Sequence, residues 1–430
     1  MQDSPSPFDF KGIGFFSISN QLSAIKPWIV CLSASLFFFY DFMLMNMFNS
    51  INNNISAEFA LNATEISRLS ALYPMATVSF LLISGLLLDR YSTRRIILTS
   101  MALCVLTTAT FALSTTLMQA AISRFIAGAT AAFCFLSCVM LASRWFKPKQ
   151  LAFVTGLIVT MAMTGGSMSQ APLKTLVISY GWRSALFILS AIGLALLSIM
   201  FFTIEDRPGE KIWKKSPGKK GLSVKESLLI AAKNPQNWIL GLYTSFMNLL
   251  ICVFGGLWGQ AYLNTTYSLD AMSASEITML IFLGTTIGSP LAGFISDKIG
   301  KRKSPMVMGA ILSLLLVGML FINTAPSFQF LSFVFFCLGL TTSAQVISYP
   351  AIFESNPPEV TGICESLSAV LIMSGVTLFP LTYGIILDMN GHTHYTASDH
   401  YFAFLILPIT LVISLILALM VKETNCQQQH

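Results

Sequence analysis

The sequence predicts an all-α membrane protein: twelve transmembrane helices in two pseudo-symmetric six-helix bundles. Three observations predict it. Of 430 residues, 54% are hydrophobic and 10% charged, with a mean hydropathy of +0.72, whereas soluble domains carry roughly 25% charged residues. Twelve apolar runs recur along the chain, most near the ~20 residues that carry a helix across a bilayer core. Finally, GLLLDRYSTRR at Gly85 returns as GFISDKIGKRK at Gly293, 208 residues later, each closing the second apolar run of its half.

In chain order, residues 1–27 form an N-terminal segment without a continuous apolar stretch. No small-residue cleavage site precedes Trp28, so the first run is expected to be an uncleaved helix. Runs at 28–48, 69–88, 96–115, 118–143, 151–178 and 185–203 make the first bundle, 28–203. A linker rich in Pro, Gly and Lys covers 204–237. Runs at 238–263, 277–296, 305–323, 328–350, 362–387 and 401–421 make the second bundle, 238–421, and 422–430 are a tail. If Met1 is cytoplasmic, the inner connectors hold Arg90, Arg94, Arg95, Arg144, Lys147, Lys149, the stretch from Arg207 to Lys233, and Lys298 to Lys303. The outer connectors hold little beyond Arg68 and Arg183. This bias places both termini inside. The shared offset of Asp89 and Asp297 makes the halves a tandem repeat about an axis along the membrane normal.

Several function classes are disfavoured. The net charge of +6 resides in connectors, where topology explains it without a nucleic-acid partner. The eight Cys lie mostly in apolar runs without a CxxC pair and read as small buried hydrophobes. There is no GxxxxGK[ST] phosphate loop, no TVGYG filter and no Ser-His-Asp or metal-ligand constellation, which argues against an ATPase, a potassium channel and an enzyme. No cofactor is expected. His392, His394 and His400 in GHTHYTASDH are read as a solvated outer loop, not a metal site. Asn54, Asn62 and Asn264 head N-x-S/T triplets in outer loops.

The repeated loop resembles that of the major facilitator superfamily of secondary transporters, approximately G-x-L-x-D-R-x-G-R-R. Its first copy has Gly85, Leu87, Asp89, Arg90, Arg94 and Arg95, with Ser92 where the family usually has Gly. The second has Gly293, Asp297, Gly300, Lys301 and Arg302. Arg124 to Gly128 match the family's Arg-x-x-x-Gly in the fourth helix. NPQNWILGLY, GSPLAGFISDKIGKRK and NPPEVTG resemble a bacterial branch distantly similar to lysosomal members that move small peptides. The resemblance implies the superfamily's fold, alternating access around a midplane site, a monomer, and a place in a bacterial inner membrane. Each loop copy then reads as an inner latch that breaks when the halves rock. Gly would permit close helix contact, Asp would accept from a helix N-terminus and the basic cluster, and Arg and Lys would anchor the loop. Topology alone is the competing reading.

Charges within the apolar runs are functional candidates because they are costly there. Asp41 and Arg124 lie about seven and six residues from the outer ends of their runs, a shared depth of ~10 Å at about 1.5 Å per residue. They are expected to pair across a central cavity and to serve proton coupling or substrate binding. Lys174 is expected to snorkel to the interface, with substrate contact as the alternative. Glu354 and Glu365 are candidates for an ion-pair gate with the basic latch residues. Tyr40, Asn248, Trp258, Gln260, Gln345 and Tyr349 are candidate lining of a polar, aromatic cavity; each equally suits an interhelix hydrogen bond.

The family's drug-exporting antiporters share a helix-five motif that is only partly present. Gly156 and Gly165 hold its first part, but Ser169-Gln170 replace Gly-Pro and Leu173-Lys174 replace Gly-Gly. This favours proton-coupled uptake of a small polar metabolite: an amino acid, small peptide, nucleoside or siderophore-like solute. Export, and a transporter-like receptor without net flux, are the rivals. Expected partners are the solute, protons and the lipid bilayer.

Overall fold

The computed structural model describes residues 13–146, 148–206, 224–322, 326–357, 360–389 and 395–429. Most of the stretch from Arg207 to Lys233, along with Lys147, His392 and His394, lies outside them, as do the side chains of Asp89, Arg90 and Lys149.

The first half runs α1 (Ile13–Asn46), α2 (Phe48–Phe59), α3 (Ala63–Arg90), α4 (Thr93–Ala112), α5 (Leu117–Ala131), α6 (Cys134–Trp145), α7 (Pro148–Met168), α8 (Ala171–Tyr180) and α9 (Trp182–Thr203). A short helix, α10 (Val224–Lys233), ends the linker. In the second half come α11 (Pro235–Met247), a π-helical segment (Ile251–Trp258), α12 (Gly259–Tyr267), α13 (Ala271–Ile299) and α14 (Lys303–Ile322). They are followed by α15 (Phe328–Thr342), a 3₁₀ segment (Ser343–Ile347), α16 (Ser348–Glu354), α17 (Thr361–Asp388), α18 (Ala397–Phe404) and α19 (Ile406–Met420). Among the described residues nine helical stretches are long and apolar enough to span a membrane, and α11 with the helix beyond its 40° bend makes a tenth. With α3 and the α7–α8 pair they form the expected all-α arrangement of two six-helix bundles.

Helix starts follow from short polar side chains. Asn62 accepts from Glu65 N–H while the Glu65 carboxylate accepts from Asn62 N–H, a reciprocal cap on α3. Ser92 caps α4, Thr116 caps α5 and Asp270 caps α13. Gly300, at φ +67°, ends α13 in a conformation that favours glycine.

The internal repeat is visible in packing. A Cβ on Gly128 of α5 would stand 2.1 Å from the Tyr73 carbonyl oxygen of α3. A Cβ on Gly339 of α15 would stand 2.1 Å from the Ile281 carbonyl oxygen of α13. Tyr73 and Ile281 are 208 residues apart. The same backbone-to-backbone crossing is therefore built twice, and only glycine permits it.

The halves join at the end opposite the two described chain ends. There α3 meets α17: Ser67 Oγ donates to the Pro380 carbonyl, and Gly384 packs on the Ala63 carbonyl oxygen, a Cβ at 384 reaching within 2.5 Å of it. Likewise α7 meets α13, with the buried Phe282 ring wedged between Gly166 and Gly255. Among the described residues, every hydrogen bond between the halves lies at this end, within 49–67 and 170–175 of the first half and 255–278 and 380–395 of the second.

Candidate functional site

Three side chains on three helices form a buried polar group inside the first half. Asp41 on α1 is 5% exposed and Arg124 on α5 is 1% exposed. The expected direct pair across a central cavity does not form. Tyr73 of α3 stands between them: its hydroxyl donates to the Asp41 carboxylate, and its ring lies under the Arg124 guanidinium, 4.5 Å from Cζ to centroid. Phe48 packs against the same guanidinium at 4.6 Å. Arg124 Nη1 donates to the Leu44 carbonyl oxygen at 2.9 Å, whereas Nε and Nη2 are buried without a partner. Beside Arg124 is a small cavity of about 10 Å³ lined in part by Leu44, Thr108, Phe111 and Ser123, close to the minimum that holds one water. A charge removed from water costs several kcal/mol unless partnered. Two idle guanidinium nitrogens, Nε and Nη2, are therefore donors awaiting an acceptor.

The repeat shows that the scaffold does not require these charges. Phe335 stands four residues before Gly339, as Arg124 stands four before Gly128, and Ile281 occupies the place of Tyr73. The second half folds around the same crossing with an apolar pair. Sequence reasoning missed Tyr73 because it carries no charge; its only signal is a hydroxyl in mid-span beside Pro74 of α3.

Tyr40, next to Asp41, does not join the group. Its hydroxyl lies 3.3 Å from Thr108 Oγ1 and its ring packs on Gly193, because neighbouring residues on a helix point about 100° apart. The remaining cavity candidates divide in two. Asn248 accepts from Gln345 Nε2 at 3.3 Å, with Tyr349 one turn further along and Glu365 of α17 in electrostatic range of Tyr349. These four belong together in the second half, and Gln345 Oε1 is buried without a partner. Glu365, half-buried on α17, takes part in no ion pair among the described residues.

Trp258, Gln260 and Lys174 instead lie in the sealed end. Trp258 Nε1 donates to the Pro380 carbonyl at 3.1 Å and its ring stacks on Tyr383. Gln260 N–H donates to Asn49 Oδ1 at 3.0 Å, and its Nε2 reaches Ser50 and Ser275. Lys174 does not snorkel: it is 6% exposed, with its ammonium donating to the Ser50 carbonyl at 3.0 Å. Gln170 is the hub here. Its Oε1 accepts from Asn49 and Thr278, and its Nε2 donates to the Gly255 carbonyl. His400 is not a solvated loop residue either, since it is buried on α18 with Nδ1 3.0 Å from the Tyr383 hydroxyl.

At the other end the basic loops are tied within their own halves. The Arg302 guanidinium donates to Asp297 at 2.6 Å and to Glu354 at 2.7 Å, while Arg302 and Lys303 N–H groups donate to Glu423. Burial opposes the Arg302 charge, but the bonds from Glu354 and Asp297 outweigh it and hold its pKa above the ordinary value. In the first half the acceptor is Asp206, a residue sequence reasoning passed over. It takes bonds from Ser92 Oγ and Arg94 N–H and faces Arg144 at 3.6 Å. Arg94 Nη2 donates to the Phe201 carbonyl, and Arg95 and Lys301 are exposed. Glu423 and Asp206 thus each cap the helix that follows the basic loop of their half. Gly85 and Gly293 do not serve close contact: a Cβ at 85 would meet its nearest neighbour at 3.8 Å, and one at 293 would meet nothing within 4 Å. Among the described residues no hydrogen bond or ion pair joins the halves at this end.

A pH dependence follows. Partial burial of Glu423 opposes its ionisation, but N–H bonds from Arg302, Asn425, Lys303 and Thr424 hold its carboxyl below the usual 4.5. A depressed folded-state pKa adds stability that is fully present above the unfolded value and is lost as pH falls through the folded one. The thermal stability of the purified protein should therefore fall as pH drops below about 4.5, and Glu423→Gln should flatten that part of the profile.

The sequence pattern of the Major Facilitator Superfamily matches residues 32–362 and, separately, 249–425. The Membrane sensor protein UhpC of Escherichia coli strain K12 is 24% identical over 380 residues, covering 84% of this chain and 84% of that protein. The Hexuronate transporter of Bacillus subtilis strain 168 is 23% identical over 351 residues, 78% of this chain and 82% of that one. The Lysosomal dipeptide transporter MFSD1 of Danio rerio is 24% identical over 373 residues, 80% and 77%. In fold, the chain resembles the crystal structure of a bacterial homologue of the human lysosomal transporter Spinster in an inward-facing, occupied conformation. The TM-score is 0.72 at 14% identity, covering 92% of this chain and 97% of that one.

Proposed function

The chain belongs to the Major Facilitator Superfamily, and from that premise we propose that it takes up a small polar metabolite with protons by alternating access. The observation that carries the reading is the buried Asp41–Tyr73–Arg124 group, placed where the repeat-related half is apolar. A carboxylate bonded only through Tyr73 can hold a proton, and a guanidinium with two idle donors can approach and displace it. One group thus exchanges a proton for an ion pair as the halves rock. The solute would sit between the halves, with Asn248, Gln345, Tyr349 and Glu365 supplying polar contacts from the second half and Arg124 a cation from the first. Such a set suits an amino acid, small peptide, nucleoside or hydroxycarboxylate siderophore. With both termini in the cytoplasm of a bacterial cell, the sealed end faces outward and the state described is open to the inside. The protein would act in the inner membrane as a monomer.

Metabolite pools of cells expressing the parent or Asp41→Asn, with and without a protonophore, test the proposal. Uptake coupled to protons predicts at least tenfold enrichment of one solute class with the parent, lost with either treatment. Depletion of that solute by the parent would indicate export instead. The similarity to a membrane sensor favours a second reading, a receptor that binds solute without net flux; solute binding by purified protein with unchanged pools would select it.

A further inference from the structure

A polar cavity lies in the sealed end, apart from the Asp41 and Asn248 groups. Its volume is about 220 Å³, against the ~150 Å³ that accommodates one benzene ring. Its walls come from both halves: Asn53 on α2, Asn62 at the start of α3, Asn264 and Thr265 on α12, and His400 on α18. No Lys, Arg, Asp or Glu lines it. A charged ligand would find no counter-charge in these walls.

We propose that this cavity binds a neutral, polyhydroxylated solute the size of one six-membered ring, such as a monosaccharide, at a site separate from the central path. The wall groups have spare hydrogen-bonding capacity. Asn264 Oδ1 is buried and unpartnered. Asn62 uses Oδ1 for its cap and leaves Nδ2. His400 engages Nδ1 with Tyr383 and leaves Nε2. Trp258, fixed by its bond to Pro380, adds an apolar surface for the C–H faces of a ring. Uncharged donors and acceptors around one indole match alternating hydroxyl and C–H surface, and they match neither an ion nor a hydrocarbon. Because the walls belong to different halves, they stand together only while this end is sealed. A bound solute therefore favours the sealed state.

The test uses the purified full-length chain in nanodiscs, with thermal unfolding followed against rising glucose, galactose or mannose. The variants are Asn264→Leu, which removes the free carboxamide, and Ala261→Phe, which fills the cavity from its wall. The proposal expects a saturating rise of several degrees in Tm with at least one hexose in the parent, and none in the variant or variants that fold. Sugars also stabilise proteins non-specifically by exclusion from their surface, but that rise does not saturate. A non-saturating rise shared by parent and variants, or no rise with any of the three, would overturn the proposal and leave a water-filled vestibule. A saturating rise kept in either variant would place the hexose elsewhere and overturn it equally. None of these outcomes depends on net transport.

Discussion

Tyr73→Phe is expected to lower proton-driven accumulation at least tenfold while leaving the fold and equilibrative exchange intact. The substitution keeps the ring, and with it the packing under Arg124 and the backbone crossing at Gly128. It removes only the hydroxyl that donates to Asp41. A hydrogen bond to a charged group is worth about 1.5–3 kcal/mol, so its loss shifts the protonation of Asp41 by roughly ten- to a hundredfold. If Asp41 carries the coupling proton, net uptake against a gradient suffers most, because that step requires proton release. Exchange of labelled for unlabelled solute, which needs no net proton movement, should change less than threefold. The double variant Tyr73→Phe with Asp41→Asn should be no worse than Asp41→Asn alone, as expected for residues acting as one unit. Parent-like accumulation by Tyr73→Phe would remove the hydroxyl from the mechanism. Additive losses would show Asp41 working without it.

The contrast between Tyr73 and the charges around it shows what a sequence displays and what it conceals. Twelve apolar runs and a repeated Gly-Asp-basic loop display the fold, because hydropathy and repetition are local properties of the string. Asp41 and Arg124 are conspicuous because charge is rare in an apolar run. Tyr73 is not, since a tyrosine in a span is unremarkable until a neighbouring helix places a carboxylate at its hydroxyl. That placement depends on Gly128, where a bare backbone lets α5 touch α3. The Arg-x-x-x-Gly spacing thus has a physical reading: the glycine sets the helix distance, and the arginine one turn earlier lies over the ring this contact presents. Gln170 is concealed for a related reason. In the string it is merely a departure from Gly-Pro; in three dimensions it accepts from Asn49 of its own half and, across the seam, accepts from Thr278 and donates to Gly255. Depth along a helix was legible, as for Lys174 near an outer end. Direction around the helix was not, and it turns that ammonium inward to Ser50.

Asp388→Asn is expected to open the sealed end, raising the labelling rate of a cysteine placed at Ala261, in the seam, by up to about thirtyfold in cells treated with a membrane-impermeant maleimide. Asp388, at the C-terminal end of α17, accepts from Thr64 N–H at 2.8 Å, from Ala63 N–H at 3.3 Å and from the Tyr395 hydroxyl at 2.6 Å. The first two donors are the free N–H groups that begin α3, in the other half. Gly384, one turn earlier on α17, lets the helices approach closely enough for this reach. Among the described residues, Asp388 supplies the one carboxylate in the bonds between the halves, the rest being hydrogen bonds of neutral groups. A carboxylate at a helix N-terminus gains up to ~2 kcal/mol in partly buried geometry, and about 1.4 kcal/mol is a tenfold change in population. Asparagine keeps the shape but loses the charge, so the seal should weaken without collapse of either half. Asp388→Glu should recover part of the parent rate. The geometry also explains why such a clasp can be reversible. When the end opens, the N–H groups of α3 and the carboxylate both return to water, so neither is stranded unpaired in the bilayer, as a buried pair near Asp41 would be. Unchanged labelling in Asp388→Asn would mean that the neutral seam around Gln170 and Gln260 holds the seal alone, with Asp388 reduced to a helix cap.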